Sequence, residues 1–232
     1  MELMKKFIIF KQGVLEELPL QLGVFPFGII YGIMAIESGL TPIQAFLMSS
    51  IIFGGASQIA FVQLISSATP LGVVVTTVSA INSRHFLYSI SMMEYLKNLS
   101  LKWRIVLSYL LTDEAYAVSI RRFINEPSTS FLHFHLLGTG ITLFLSWQIS
   151  TLIGVLVGGD LPQFLDLQFI IPLTFIAIIV PMIKSISTFF VVIASAFSGL
   201  ILKSLDINFW IVISGMIGVV IGLTSSKLDK KR

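Results

Sequence analysis

Between Glu37 and Arg84 the chain carries no Asp, Glu, Lys or Arg. An uncharged stretch that long, rich in Leu, Ile, Val and Phe, has too little polar surface to fold in water and more length than one membrane crossing needs, which is roughly 17 to 25 residues. Shorter charge-free intervals recur at 18–36, 167–183, 185–202 and 207–226. With 55% hydrophobic residues, 12% charged residues and a mean hydropathy of +0.94, the sequence excludes a soluble globule and predicts an all-α integral membrane protein. A lipid-facing barrel is excluded because the apolar segments are too long and lack alternation.

Eight hydrophobic helical segments are expected, at 18–36, 43–66, 70–93, 105–120, 131–157, 167–183, 185–202 and 207–226. Residues 1–17 precede them: Leu3, Phe7, Phe10 and Val14 repeat at helical spacing opposite Lys5, Lys6 and Lys11, the pattern of an amphipathic interfacial helix. Residues 18–226 then form one polytopic transmembrane transporter domain, and 227–232 a basic cytoplasmic tail. Turn signals fall at "SGLTP" (38–42), "SSATP" (66–70) and "GGDLP" (158–162). No signal peptide is evident, because the first seventeen residues mix Lys with Glu.

Lys and Arg concentrate on the cytoplasmic side of membrane proteins. That bias admits two arrangements, eight full crossings or a second and fourth segment that are broken or re-entrant, and the reading favours the latter. Making only one of them re-entrant divides the basic residues evenly between the sides. Both surviving arrangements place the N- and C-termini in the cytoplasm, with the chain in the cell (plasma) membrane. The net charge of +3 is explained by orientation, so no nucleic acid is expected as partner, and the absence of Cys excludes disulfides and thiolate metal sites.

Three polar interruptions carry the chemistry. In "FGGASQ", Gly54 and Gly55 loosen the helix and Ser57 is a candidate N-cap for a half-helix starting after it, which would direct free N–H groups and a positive dipole end into the membrane. The alternative is that the small residues only permit close packing. In "INSRHFLY", Asn82, Arg84, His85 and Tyr88 fall within about 160° of a helix and can share one polar cavity. An arginine there has an insertion cost of roughly 2.5 to 3.5 kcal/mol and needs a partner or water, and histidine is the side-chain type that exchanges a proton near neutrality. A snorkelling or purely structural arginine is the competing reading. In "TDEAYAVS", Asp113 and Glu114 are the obvious counter-charges for Arg84, unless that segment is a surface helix. Pro26 and Gly28 predict a kink in the first segment. His133 and His135, two residues apart, point away from each other and do not form a metal pair.

These stretches, "PFGIIYG" at 26–32, "FGGASQIAF" at 53–61, "NSRHFLYS" at 82–89 and "LTDEAYAVS" at 111–119, occur in the order and spacing of the AzlC family, which the chain resembles over nearly its whole length. The resemblance implies the large subunit of a two-component permease that exports branched-chain amino acids such as Val, Leu and Ile, with a separate small membrane partner of the AzlD type. The positions it carries over are Pro26, Gly28, Gly54, Ser57, Gln58, Asn82, Arg84, His85, Asp113 and Glu114.

A zwitterionic substrate requires donors for its carboxylate, an acceptor for its ammonium and an apolar pocket. The N–H groups near Ser57 and Gln58, with Arg84, are the expected carboxylate side, Asp113 or Glu114 the ammonium side, and Phe53 and Tyr88 the walls, with Asn82 also expected at the substrate. His85, Gly54, Gly55, Pro26 and Gly28 are the expected coupling and gating positions. No P-loop pattern is present, so an ion gradient, with H+ as the expected coupling ion and no cofactor, would drive export. A passive small-solute channel built on two re-entrant half-helices is the alternative. No nucleophile–base arrangement points to an enzyme.

Overall fold

The computed structural model describes residues 2–126, 131–158, 183 and 185–229, with side chains to 225. Among the described residues it is helical throughout, and helix boundaries fall where local chemistry puts them. Helix α1 (Glu2–Glu17) runs through a 3₁₀ turn (Leu18–Leu20), opened by Pro19, into α2 (Gln21–Glu37). The turn after α2 needs Gly39 at φ 87, where an L side chain is strained. Thr41 then caps α3 (Pro42–Ile52) with a full capping box: its hydroxyl accepts from Gln44 N–H, and the Gln44 side chain accepts from Thr41 N–H.

Next come α4 (Gly55–Ser66), α5 (Leu71–Leu96), α6 (Leu101–Leu110), α7 (Asp113–Asn125), α8 (His133–Gly158), α9 (Ile186–Ser204) and α10 (Trp210–Asp229). The second expected segment is therefore broken between α3 and α4, and the fourth between α6 and α7 at Leu111 and Thr112. At about 1.5 Å per residue, none of these four pieces spans a hydrocarbon core of about 30 Å by itself. Among the described residues three helical runs are long and apolar enough to cross: Glu2–Glu37, His133–Gly158 and Ile186–Ser204. The expected segment 167–183 lies outside the described residues but for Ile183, as do the "GGDLP" turn past Gly158 and the end of the basic tail.

The chain divides into two compact units, Met1–Val62 with Asn82–Asp160, and Gln63–Ile81 with Leu161–Arg232. The first is organised around α8, against which α1, α2, α3, α6 and α7 all pack. Glycines set how closely: a methyl group on Gly154 would strike the Ile29 carbonyl oxygen of α2, and one on Gly138 the Phe10 carbonyl of α1. Backbones that near each other are a membrane packing device, since lipid gives no hydrophobic drive for helix association. In α1, Gly13 is the residue turned into α8, while Leu3 and Phe7 stay exposed. In the second unit α9 and α10 form a hairpin, with Ser195 against Gly218 and the Ser187 hydroxyl donating to the Ser225 carbonyl at 2.6 Å.

Candidate functional site

The joint between α3 and α4 is made by Phe53, a non-glycine residue in the left-handed region (φ 39, ψ 56), followed by Gly54. Its ring packs against Tyr109 of α6 and Phe144 of α8, with centroids 5.8 and 5.2 Å away, and is buried. Helix α4 starts at Gly55, three residues earlier than expected. Ser57 is consequently not an N-cap: its hydroxyl lies in the first turn and donates to the Gly54 carbonyl at 2.7 Å. The first intrahelical bond runs from Gln58 N–H to Gly54 C=O, so the amides of Gly55, Ala56 and Ser57 form the helix's open N-terminal turn.

Small size at Gly54 is required, since a Cβ there would lie 2.8 Å from Ser57 Oγ, 3.2 Å from Asn82 Oδ1 and 3.6 Å from His85 Cε1. The broken joint thus faces the "NSRH" turn of α5. On the other side of that turn, Arg84 pairs with Asp113 at 2.5 Å, and His85 Nε2 stands 3.6 Å from Asp113 Oδ1. His85 is the residue that reaches both the joint and the start of α7. Asp113 and Glu114 occupy the first turn of α7, where the helix dipole favours carboxylates. One turn further along α5, Tyr88 stacks on Tyr116 with centroids 4.6 Å apart, and the Tyr116 hydroxyl shares a hydrogen bond with Ser91.

Several polar atoms in this region are buried without a hydrogen-bond partner: Gln58 Nε2, Asn82 Oδ1, Arg84 Nε, Thr112 Oγ1 and Asp113 Oδ1. Native interiors leave few such atoms. Here donors and acceptors are left over together, around one broken helix end and one ion pair.

The structure thus brings Gly54, Ser57, Asn82, Arg84, His85 and Asp113 together, with Tyr88 adjoining and Glu114 beside Asp113. Gln58 turns partly away: its side-chain oxygen accepts from Gly54 N–H and from the Trp147 indole at 3.1 Å. Gly55 is pressed by the rings of Phe27 and Trp147, and Gly28 by Ser150 and Trp147. Pro26 is exposed. Gly28 therefore serves the α2–α8 contact, and neither it nor Pro26 reaches the Arg84 cluster.

Sequence reasoning missed Trp147, which touches Gly55 and Gln58, and Tyr31, whose ring lies 6.1 Å from it and whose hydroxyl donates to the Ala45 carbonyl. It also missed a network joining α1, α7 and α8. Arg122 binds Glu16 at 2.7 Å and Gln12 at 3.0 Å, Glu16 reaches the buried His135 at 3.1 Å, and Ser119 links His135 to Thr139. A cavity of about 410 Å³ opens beside it, lined by Glu16, Arg121, Arg122 and Glu126 among others.

The three motifs that build the cluster, and the Pro26–Gly28 motif beside α8, all lie within the part of the chain that matches a known family profile, that of the AzlC protein, over residues 19–161. The chain belongs to the AzlC family. Among AzlC-like relatives, it is 29% identical to a protein of Archaeoglobus fulgidus described as an uncharacterized membrane protein, over 79% of this chain and 80% of that one. It is 26% identical to the inner membrane protein YgaZ of Escherichia coli, over 66% of this chain and 63% of that one. An uncharacterized membrane protein of Helicobacter pylori is 28% identical over 65% and 64% of the two chains. No solved structure matches the chain. An AzlC-family membrane protein is accordingly the setting in which the cluster has to be understood.

Proposed function

We propose that this AzlC-family protein is the large subunit of a two-component secondary transporter that exports branched-chain amino acids across the plasma membrane, driven by the proton gradient, with both termini cytoplasmic and an AzlD-type small subunit as partner. The observation that carries this reading is the meeting of the Gly54 joint with His85, Arg84 and Asp113, where Arg84 Nε keeps an unused donor and Asn82 Oδ1 an unused acceptor. A zwitterion carries both complements: its carboxylate takes the Arg84 and Gln58 donors with the open amides of α4, and its ammonium takes the Asp113 and Asn82 oxygens. Phe53 and Tyr88, with Tyr109 and Phe144 around the former, supply aromatic surface for an aliphatic side chain. His85, in reach of Asp113, is the coupling residue in this scheme.

The test is uptake of labelled valine into inverted vesicles holding the chain and its small partner under an imposed pH gradient. Uptake that saturates, shows counterflow and vanishes when the pH gradient is collapsed is the expected result. Flux linear in concentration without counterflow would establish the passive-pore reading, which the two half-helices α3 and α4 also fit.

A further inference from the structure

Glu17 ends α1 three residues after Val14, on the apolar side of the helix, and its side chain is fully buried, at 0% exposure. Gln21, one turn on, donates its amide to Glu17 Oε1 at 2.9 Å. The other Glu17 oxygen, Oε2, is buried with no donor, and so is Gln21 Oε1. Two acceptors that share one buried spot and lack a donor define what completes them, namely something that brings a hydrogen or a positive charge.

No cation among the described residues supplies it. Glu17 is in no ion pair, Arg122 of α7 and His135 of α8 are both engaged by Glu16, and α7, which packs on α1, carries the further carboxyls of Asp113 and Glu114 in its first turn. A buried carboxylate with no cation and no donor on one oxygen is costly to keep charged. No group of three or more His, Cys, Asp or Glu residues suited to a metal occurs among the described residues, which leaves the proton as the fitting ligand.

We infer that Glu17, buried at the end of α1 where that helix packs on α7, is a proton-binding carboxyl of this protein whose charge state is felt at the substrate cluster that α7 helps to build. This rests on the transport reading above and adds a residue to it. The first turn of α7 carries Asp113, which pairs with Arg84 and stands near His85. A proton gained or lost at Glu17 therefore changes the field at the Arg84–Asp113 pair without any contact to substrate.

The experiment compares the full-length wild type with E17Q, which keeps a partner for Gln21, and with E17D, which keeps the carboxyl. Infrared difference spectra between acid and alkaline buffer should show a protonated-carboxyl band in the wild type that E17Q lacks and E17D restores. In vesicles, valine exchange by the wild type and E17D should vary with pH, and that by E17Q should not. A carboxyl band unchanged in E17Q overturns the assignment, as does exchange by E17Q that follows pH like the wild type. Accumulation by the wild type that follows a sodium gradient and ignores pH also overturns it. Should the wild type carry no valine, the transport reading fails, and the spectra still decide whether Glu17 holds the proton.

Discussion

Arg84 and Asp113 are each about one third exposed, which settles what their pairing is worth. Solvent-screened ion pairs contribute roughly 0 to 1 kcal/mol to stability, so this pair is a weak reason for an arginine in the middle of an apolar helix. Replacing both by Ala and each singly should give a coupling of no more than about 1 kcal/mol in thermal unfolding of the purified protein. Valine transport should instead fall at least about tenfold in R84A and in D113N, the equivalent of ~1.4 kcal/mol. A large stability coupling with intact transport would make the pair structural. Arg84, His85 and Asp113 were legible because polar side chains are conspicuous on an apolar background. Glu17 was not, since it closes an amphipathic stretch containing Lys and Glu, and only the fold shows that its face turns inward. Trp147 was not legible either, since nothing in its apolar surroundings in the sequence signals that its indole donates to Gln58.

Interrupted helices were the second level at which the sequence spoke. The Gly54–Gly55 pair announced a break, and Asp113–Glu114 announced another, because neither glycine backbone nor paired carboxylates suit a continuous span. What escaped was the start of α4, since Ser57 has the chemistry of a cap but bonds backward to the Gly54 carbonyl. The glycines of α8 escaped too, as small residues give no sign of which neighbour they admit. Their weight is testable. G154A would set a methyl group against the Ile29 carbonyl and force α2 and α8 apart, at about 1 to 3 kcal/mol. G23A, on the same α2 helix with nothing near a new Cβ, should leave stability unchanged or raise it by up to about 1 kcal/mol. Thermal melts of the two variants in detergent provide the comparison.

Taken as a whole molecule, an AzlC-family chain with three long apolar runs and several half-length helices exposes many large hydrophobic side chains, among them Leu22, Ile51, Phe86 and Leu200. Lipid accounts for most of that surface, and under the proposed function a small membrane subunit covers part of it. Co-expression with an AzlD-type protein should therefore give a complex that survives mild detergent and affinity purification through either subunit. Valine export should need both, and export by the large chain alone would exclude the two-component scheme. The class of fold was readable from charge spacing, because hydrocarbon tolerates so few charges. The division of α4 and α5 between two compact units was not, since no linker or change of composition marks it.

The left-handed kink at Phe53 has a last implication. Backbone of that hand costs an ordinary L residue roughly 1 to 2 kcal/mol, and here the opposing grip comes from a ring wedged between Tyr109 and Phe144. A guest molecule that slips an aliphatic tail among those rings loosens the wedge and the twisted peptide together. Under the proposed function, occupancy of that pocket and release of the hinge would then be mechanically linked.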